Sequence, residues 1–184
     1  GPRVGIALHA LLEDVDFADA SQNHPLCQRV CRTLGLQGEW LPVLLDWLQS
    51  ILTSPLGNRH SLSEISQADR LDELEFHFPL QSGKDLVSRL NDLGYLRSRD
   101  VPIGLDGMMT GKIDLLYRHN GHYFIIDYKS NFLGFQPEDY RPKRLAEAML
   151  EHHYSLQFLI YTVAVHRMLK RNLPDYEYEE HFGG

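Results

Sequence analysis

Residues 111–131 read GKIDLLYRHNGHYFIIDYKSN, and the fold follows from how this stretch pairs with itself. Asn120-Gly121 is the strongest short-range signal for a two-residue β-hairpin turn, and it is flanked by runs rich in Ile, Leu, Tyr and Phe. With a two-residue loop, His119 faces His122 and Asp114 falls directly opposite Asp127. Like charges placed so are destabilising. At roughly 5 Å and an effective dielectric near 20, the repulsion is on the order of 3 kcal/mol. A cation between the two acids reverses the sign of that interaction, and paired carboxylates suit a hard divalent metal. A longer loop with a bulge shifts the pairing by one residue, so the register is an expectation.

Side chains two apart on a strand share a face. Asp127 and Lys129 therefore point one way and Tyr128 the other. Ile113, Leu115, Tyr117, Phe124, Ile126 and Tyr128 form the opposite, apolar face. The face with the two acids and the ammonium has two readings: a reactive cluster, or a solvated sheet surface on which Lys129 partners Asp127.

The chain of 184 residues is expected to form one domain with a substantial core, and 43% hydrophobic with 23% charged residues is the composition of a globular protein. No apolar run reaches the length of a membrane span, and no signal peptide is visible. Gly1-Pro2 is set aside as a candidate processing scar. The formal charge of −7 gives no global basic footprint, so any nucleic-acid contact must come from a local patch or through metal ions. Cys27 and Cys31 share one face of a helix, as core thiols rather than a disulfide. Two thiols do not by themselves hold zinc or an iron–sulfur cluster. They suggest a reducing, cytoplasmic setting.

Hydrophobic periodicity predicts helices over 4–17, 26–34 and 39–53, the last with Trp40, Val43, Leu44, Trp47, Leu48 and Ile51 inward. On the first helix, His9 shares a side with Gly5 and Glu13. By itself it is a packed or solvated histidine as readily as a ligand. A short helix over 62–69 is expected, with Ser61 and Glu64 as its capping box. In RLDELEFHFPL (70–80), alternation of Phe76 and Phe78 with Glu75 and His77 predicts a strand ending at Pro79. Glu73 lies at its start, a surface acid on spacing alone. A helix over 84–93 stops at Gly94, and a polar connector with Arg97, Arg99 and Gly104 leads to the hairpin. Beyond a loop over 133–142, one long helix is expected over 142–170, with Pro142 near its start. Tyr154, Gln157 and Tyr161 share a face of it, and Arg167, Lys170 and Arg171 suit its C-terminal end. The adjacent His152 and His153 diverge around the helix and read as solvated. Residues 175–182 alternate tyrosine and acid like the lead-in to another strand, so the chain reads as a fragment cut near that point. There is no phosphate-binding loop of the G-x-x-x-x-G-K-[ST] type and no H-E-x-x-H, hence no visible ATPase motif.

Helix, strand, hairpin with Asp then Asp-x-Lys, and helix is an order that resembles the PD-(D/E)xK, restriction-endonuclease-like core. His9 in GIALHALLED, Glu73 in DELEF, Asp114 in GKIDL, Asp127 and Lys129 in DYKSN, and Tyr154-x-x-Gln157-x-x-x-Tyr161 together are similar to the C-terminal nuclease domains of the RecB family of helicase–nucleases. The resemblance spans nearly the whole chain. It departs from the superfamily pattern at Gly111-Lys112-Ile113-Asp114, which lacks the proline of the motif's name.

The resemblance implies an α/β fold with a central mixed sheet, a hairpin carrying the acids, flanking helices and an N-terminal helical part (1–60) before the nuclease core (70–184). His9, Asp114, Asp127 and the main-chain carbonyl of Tyr128 would be metal ligands, for Mg²⁺ or for Ca²⁺ or Mn²⁺ in its place. Glu73 would be a further acid at the metal, and Lys129 would orient the attacking water and counter the phosphate's charge. Tyr154, Gln157 and Tyr161 would contact substrate from the helix, with Arg97, Arg99, Lys143 and Arg144 as candidate channel cations. The implied function is Mg²⁺-dependent DNA hydrolysis in double-strand break repair, recombination and foreign-DNA degradation. The implied partners are DNA strands, a helicase part of the same chain, and RecC- and RecD-like subunits, away from any membrane. A catalytically silent nuclease-fold scaffold and a stand-alone nuclease are the competing readings.

Overall fold

A computed structural model of the chain describes residues 2–57, 60–82, 84–95 and 105–184, without the side chains of 81–82, 84–87 and 105–106. Arg97, Arg99 and Gly104 lie outside the described residues. The helices are α1 (Pro2–Asp14), α2 (His24–Leu34), α3 (Trp40–Thr53), α4 (Lys84–Asp92), α5 (Pro142–Glu151), α6 (Tyr154–Asn172) and α7 (Tyr178–His181). The strands β1 (Arg70–Ser82), β2 (Leu105–His119) and β3 (His122–Ile126) form one sheet in the order β1-β2-β3. It is an antiparallel sheet. The mixed sheet of the expectation finds no parallel pair among the described residues.

Asn120 and Gly121 both have positive φ, 50° and 83°, the type I′ geometry whose twist matches that of the flanking strands. The turn sets the ladder at His119↔His122, Arg118↔Tyr123, Tyr117↔Phe124, Leu116↔Ile125 and Leu115↔Ile126. This is the expected register. The ladder stops there, however, so Asp114 and Asp127 occupy the next step just beyond the last pair.

The chain divides into two compact units. The first comprises Gly1–Leu74, Asp114–Ser130 and Gly183–Gly184, the second Glu75–Ile113 and Asn131–Phe182. In the first, α1 packs on α2 and α2 on α3. Leu11, Val15, Phe17, Cys27, Leu48 and Leu52 join Leu115 and Tyr117 of β2 in one core. Both cysteines are buried and unbonded, as their helical spacing required, and burial pushes the Cys27 thiol up. The Gly183 N–H donates to the Tyr123 carbonyl and the Ile125 N–H to the Gly184 carbonyl, each at 2.8 Å, along the β3 edge.

The second unit buries Leu90, Ile113, Tyr161, Ala164, Val165, Leu169 and Tyr176. Its α5 packs on α6. The single helix expected over 142–170 is broken: His153 adopts φ 56°, ψ 28°, and a right-handed helix does not run through a left-handed residue. β1 runs on through Pro79 because it is an edge strand, where a missing N–H leaves no ladder bond unmade. Residues 62–69 form two 3-10 turns, Leu62–Glu64 and Gln67–Asp69, and the Ser61–Glu64 capping box is present. The tyrosine–acid alternation forms the short helix α7, with Glu179 and Glu180 in its first turn, where acids suit the helix dipole, and it leads, as expected, into main-chain pairing, that of Gly183 and Gly184 with β3. Tyr178 stacks on Phe182 one turn on, ring centroids 5.0 Å apart. No helix among the described residues is long and apolar enough to cross a membrane.

Candidate active site

The acids of the hairpin end are held by three neighbouring segments of the first unit. Asp114, on β2, accepts a 2.6 Å hydrogen bond at Oδ2 from the main-chain N–H of Tyr128. That bond ties the strand to the segment leaving β3 once the ladder has ended. Lys129 Nζ forms an ion pair with Asp127 Oδ2, as their shared face predicted.

One pair inward the same face is dry. Leu116 and Ile125, on the same side as the acids, are both buried. Lys129 itself is exposed, so the acid–lysine pair stands where this face meets solvent.

Helix α1 supplies the second wall. Gly5, His9 and Glu13 recur every four residues along one face. A Cβ at Gly5 would stand 2.6 Å from Ser130 Oγ, so glycine permits the helix to approach the segment following Lys129. One turn on, His9 Nδ1 lies 3.7 Å from Asp114 Oδ2. The His9 ring meets the Tyr128 ring edge-on, centroids 6.1 Å apart.

Strand β1 supplies the third. Glu73 lies inside the strand, not at its start, and holds φ 55°. A non-glycine residue in this left-handed region costs on the order of 1 kcal/mol or more and occurs most at functional sites. Burial pushes the Asp114 carboxyl above the usual range; the Tyr128 N–H and His9 pull it down, while the charges of Asp127 and Glu73 push it up. Three acids therefore share one field.

Arg70 and Asp72, which sequence reasoning missed, support this wall. The Arg70 side chain is 2% exposed, and its Nε lies 3.0 Å from Asp72 Oδ2. Its guanidinium donates to the Val15 carbonyl at 2.8 Å and covers the Phe17 ring at 3.7 Å. Burial raises the Asp72 carboxyl, and Arg70 opposes that shift. Burial and the Asp72 charge also hold the Tyr128 hydroxyl well above its ordinary value, with Arg70 again opposing. Among the described residues no hydrogen bond reaches the buried Tyr128 hydroxyl.

Tyr128→Phe removes that uncompensated polar group, so stability is expected to hold or to rise by up to about 1 kcal/mol. Cleavage should persist, because the ligand role implied for Tyr128 uses its main-chain carbonyl. Urea denaturation and a cleavage assay check both; loss of activity would place the hydroxyl in the chemistry.

Among the described residues, no three His, Cys, Asp or Glu side chains converge as a ready metal-binding group. The donors stand in pairs, His9 with Asp114 and Asp127 with Lys129. The donor chemistry nonetheless fits a divalent ion. Oxygen and imidazole donors suit it, and an acid raised first by burial and then by the charges of Asp127 and Glu73 marks a place where added positive charge is favourable.

In the second unit, Gln157 Nε2 donates to Tyr161 Oη at 2.6 Å, and Tyr154 Oη donates to Asn131 Oδ1 at 2.9 Å. The Tyr161 ring meets Phe76 edge-on, centroids 5.8 Å apart. The three helix residues do share α6, with Tyr154 as its first residue.

The profile of the PD-(D/E)XK nuclease superfamily matches residues 1–178. The chain belongs to that superfamily, as a nuclease domain of its fold. It is 36% identical over 191 residues to the RecBCD enzyme subunit RecB of Escherichia coli (strain K12), which takes in all of this chain and 16% of the relative. The subunit of the same name from Haemophilus influenzae is 36% identical over 190 residues, with the same coverage. That of Mycobacterium tuberculosis (strain ATCC 25618 / H37Rv) is 34% identical over 218 residues, covering all of this chain and 20% of the relative. The chain spans 16–20% of the length of these relatives. The expected family and fold core are borne out, and the missing proline at Lys112-Ile113 does not remove the chain from the superfamily. Its nucleases generally use divalent metal ions.

Proposed function

We propose that this chain is the Mg²⁺-dependent DNA nuclease domain of a RecB-like helicase–nuclease, acting as one domain on strands delivered by a motor. The observation that carries the reading is the pair of contacts at one hairpin end, His9 with Asp114 and Lys129 with Asp127, with the charge of Glu73 acting on Asp114. His9, Asp114, Asp127 and the Tyr128 carbonyl would hold the ion, with Ca²⁺ or Mn²⁺ as substitutes. When bound, the ion lowers the pKa of water and neutralises phosphate charge.

The residues do the rest. Lys129, held by Asp127, orients the attacking water and balances the charge that grows on the phosphate oxygens. Glu73 takes up the water's proton through solvent as the new P–O bond forms. The P–O bond to the leaving oxygen then breaks, and that oxygen leaves with a proton from solvent. Tyr154, Gln157 and Tyr161 contact the strand, with Lys143 and Arg144 as further cations. The wider setting follows the similarity to RecB: a cytoplasmic complex with RecC- and RecD-like subunits, in break repair, recombination and foreign-DNA degradation.

The test is cleavage of an end-labelled oligonucleotide with Mg²⁺ by the purified protein and by Lys129→Ala. Loss of one preorganised electrostatic group is expected to slow cleavage by about 10²–10³-fold, with the circular dichroism spectrum unchanged. A variant that cuts at the wild-type rate refutes the assignment. No cleavage by the wild type, with no calorimetric Mg²⁺ site, leaves the silent scaffold instead.

A further inference from the structure

Three and six residues after Lys129, two phenylalanines stand in solvent. Phe132 is 67% exposed and Phe135 90%, and their rings meet edge to face with centroids 4.9 Å apart. We infer that this pair is a stacking platform for the bases of a single DNA strand. The inference rests on the nuclease reading and specifies its substrate contact.

The loop is held without help from the two rings. The Leu133 N–H donates to Tyr140 Oη at 3.2 Å, and the Gln136 N–H to Asp139 Oδ2 at 3.1 Å. Asn131, at the loop's start, is bonded to Tyr154 of α6, and residues 137–140 close it in a capped 3-10 turn. A braced turn that leaves its two largest apolar side chains in water presents them; it does not bury them. Chain connectivity keeps the Phe132 Cα within about 11 Å of the Lys129 Cα.

Charge selects the occupant. With a formal charge of −7, the chain has little general attraction for a polyanion, so a grip that does not depend on charge is needed. Every base offers a π-face, and stacking on aromatic side chains is tolerant of sequence. Arg141, Lys143 and Arg144, all exposed at the end of the same loop, supply local cations for the backbone. A protein partner fits less well, because two phenylalanines expose far less area than a stable protein interface needs.

The experiment titrates wild-type protein, Phe132→Ala/Phe135→Ala and Phe132→Trp/Phe135→Trp against a single-stranded oligonucleotide carrying 2-aminopurine, with chelator present so that nothing is cut. Stacking should quench the probe on the wild type. The double alanine variant should bind about tenfold or more weakly and lose the quench, with the ratio to wild type preserved as salt is raised. The tryptophan variant should restore both. Equal affinity and equal quenching in the alanine variant overturn the inference, including the case in which the pair covers a protein surface. If that happens while Lys129→Ala still abolishes cutting in Mg²⁺, the nuclease reading stands and the platform alone falls. Wild-type protein that shows the quench but cuts no DNA supports the platform and sinks the nuclease reading.

Discussion

Asp114→Asn is expected to leave a folded protein that neither binds a divalent ion nor cuts DNA, with cleavage down on the order of 10³-fold. The amide keeps an oxygen acceptor for the Tyr128 N–H, so the 2.6 Å bond joining β2 to the segment after β3 survives. What disappears is the charge. Its pKa is raised, chiefly by burial, so ionisation of Asp114 costs the metal-free fold stability. For an acid raised in the folded state, the favourable contribution is complete below the unfolded pKa and is lost as pH rises through the folded one. Metal-free Asp114→Asn should therefore melt at or above the wild-type temperature at neutral pH. The gap should close as pH falls through the raised pKa. Added Mg²⁺ should reverse the order, stabilising only the protein that binds it. Calorimetric titration and melting curves at several pH values read all of this. Undiminished Mg²⁺ affinity in the variant would remove Asp114 from the ligand set.

Arg70→Ala is expected to cost about 3–5 kcal/mol of stability, the usual penalty for removing one partner of a buried ion pair. Three losses combine: the Asp72 countercharge, the bond to the Val15 carbonyl and the cover over Phe17. Asp72 is then left buried with a carboxyl already raised by burial. The deficit should be greatest at neutral pH and shrink in acid, as the carboxyl takes up a proton. Replacing both residues by apolar ones, Arg70→Met with Asp72→Leu, should recover most of the loss. Urea denaturation supplies the numbers. A loss below about 1 kcal/mol in the single variant would show that the pair behaves as a surface bridge.

What could be read in the sequence was whatever local geometry enforces. Asn120-Gly121 dictates a type I′ turn, and the turn dictates the register, so the approach of Asp114 to Asp127 followed from counting, and the two-residue period of a strand put Asp127 and Lys129 on one face. The four-residue recurrence of Gly5, His9 and Glu13 put the three on one side of a helix, but that this side meets Asp114 was implied only by the family resemblance. What stayed hidden depends on distant partners or on conformations without a residue signature. Arg70 looks exposed in its own strand, and its burial comes from Val15 and Phe17 in an earlier segment. A left-handed His153 carries no glycine or proline to announce it, so two helices read as one. Pro79 marks the end of a strand only when the strand is internal. The cover over Leu116 and Ile125 is tertiary, and alternation alone could not separate a wet face from a dry one.

The centre draws on α1, on β1 and on both arms of a hairpin that arrives well past the chain's midpoint. Its groups meet only once the segment past Asp127 has been made and has folded back on α1. A nascent or prematurely ended product that stops before Asp127 has a histidine at one end and no acid–lysine pair to meet it. On the proposed reading, such a product lacks the residues that would cut DNA, and the order of the chain itself withholds the centre until its last parts are in place.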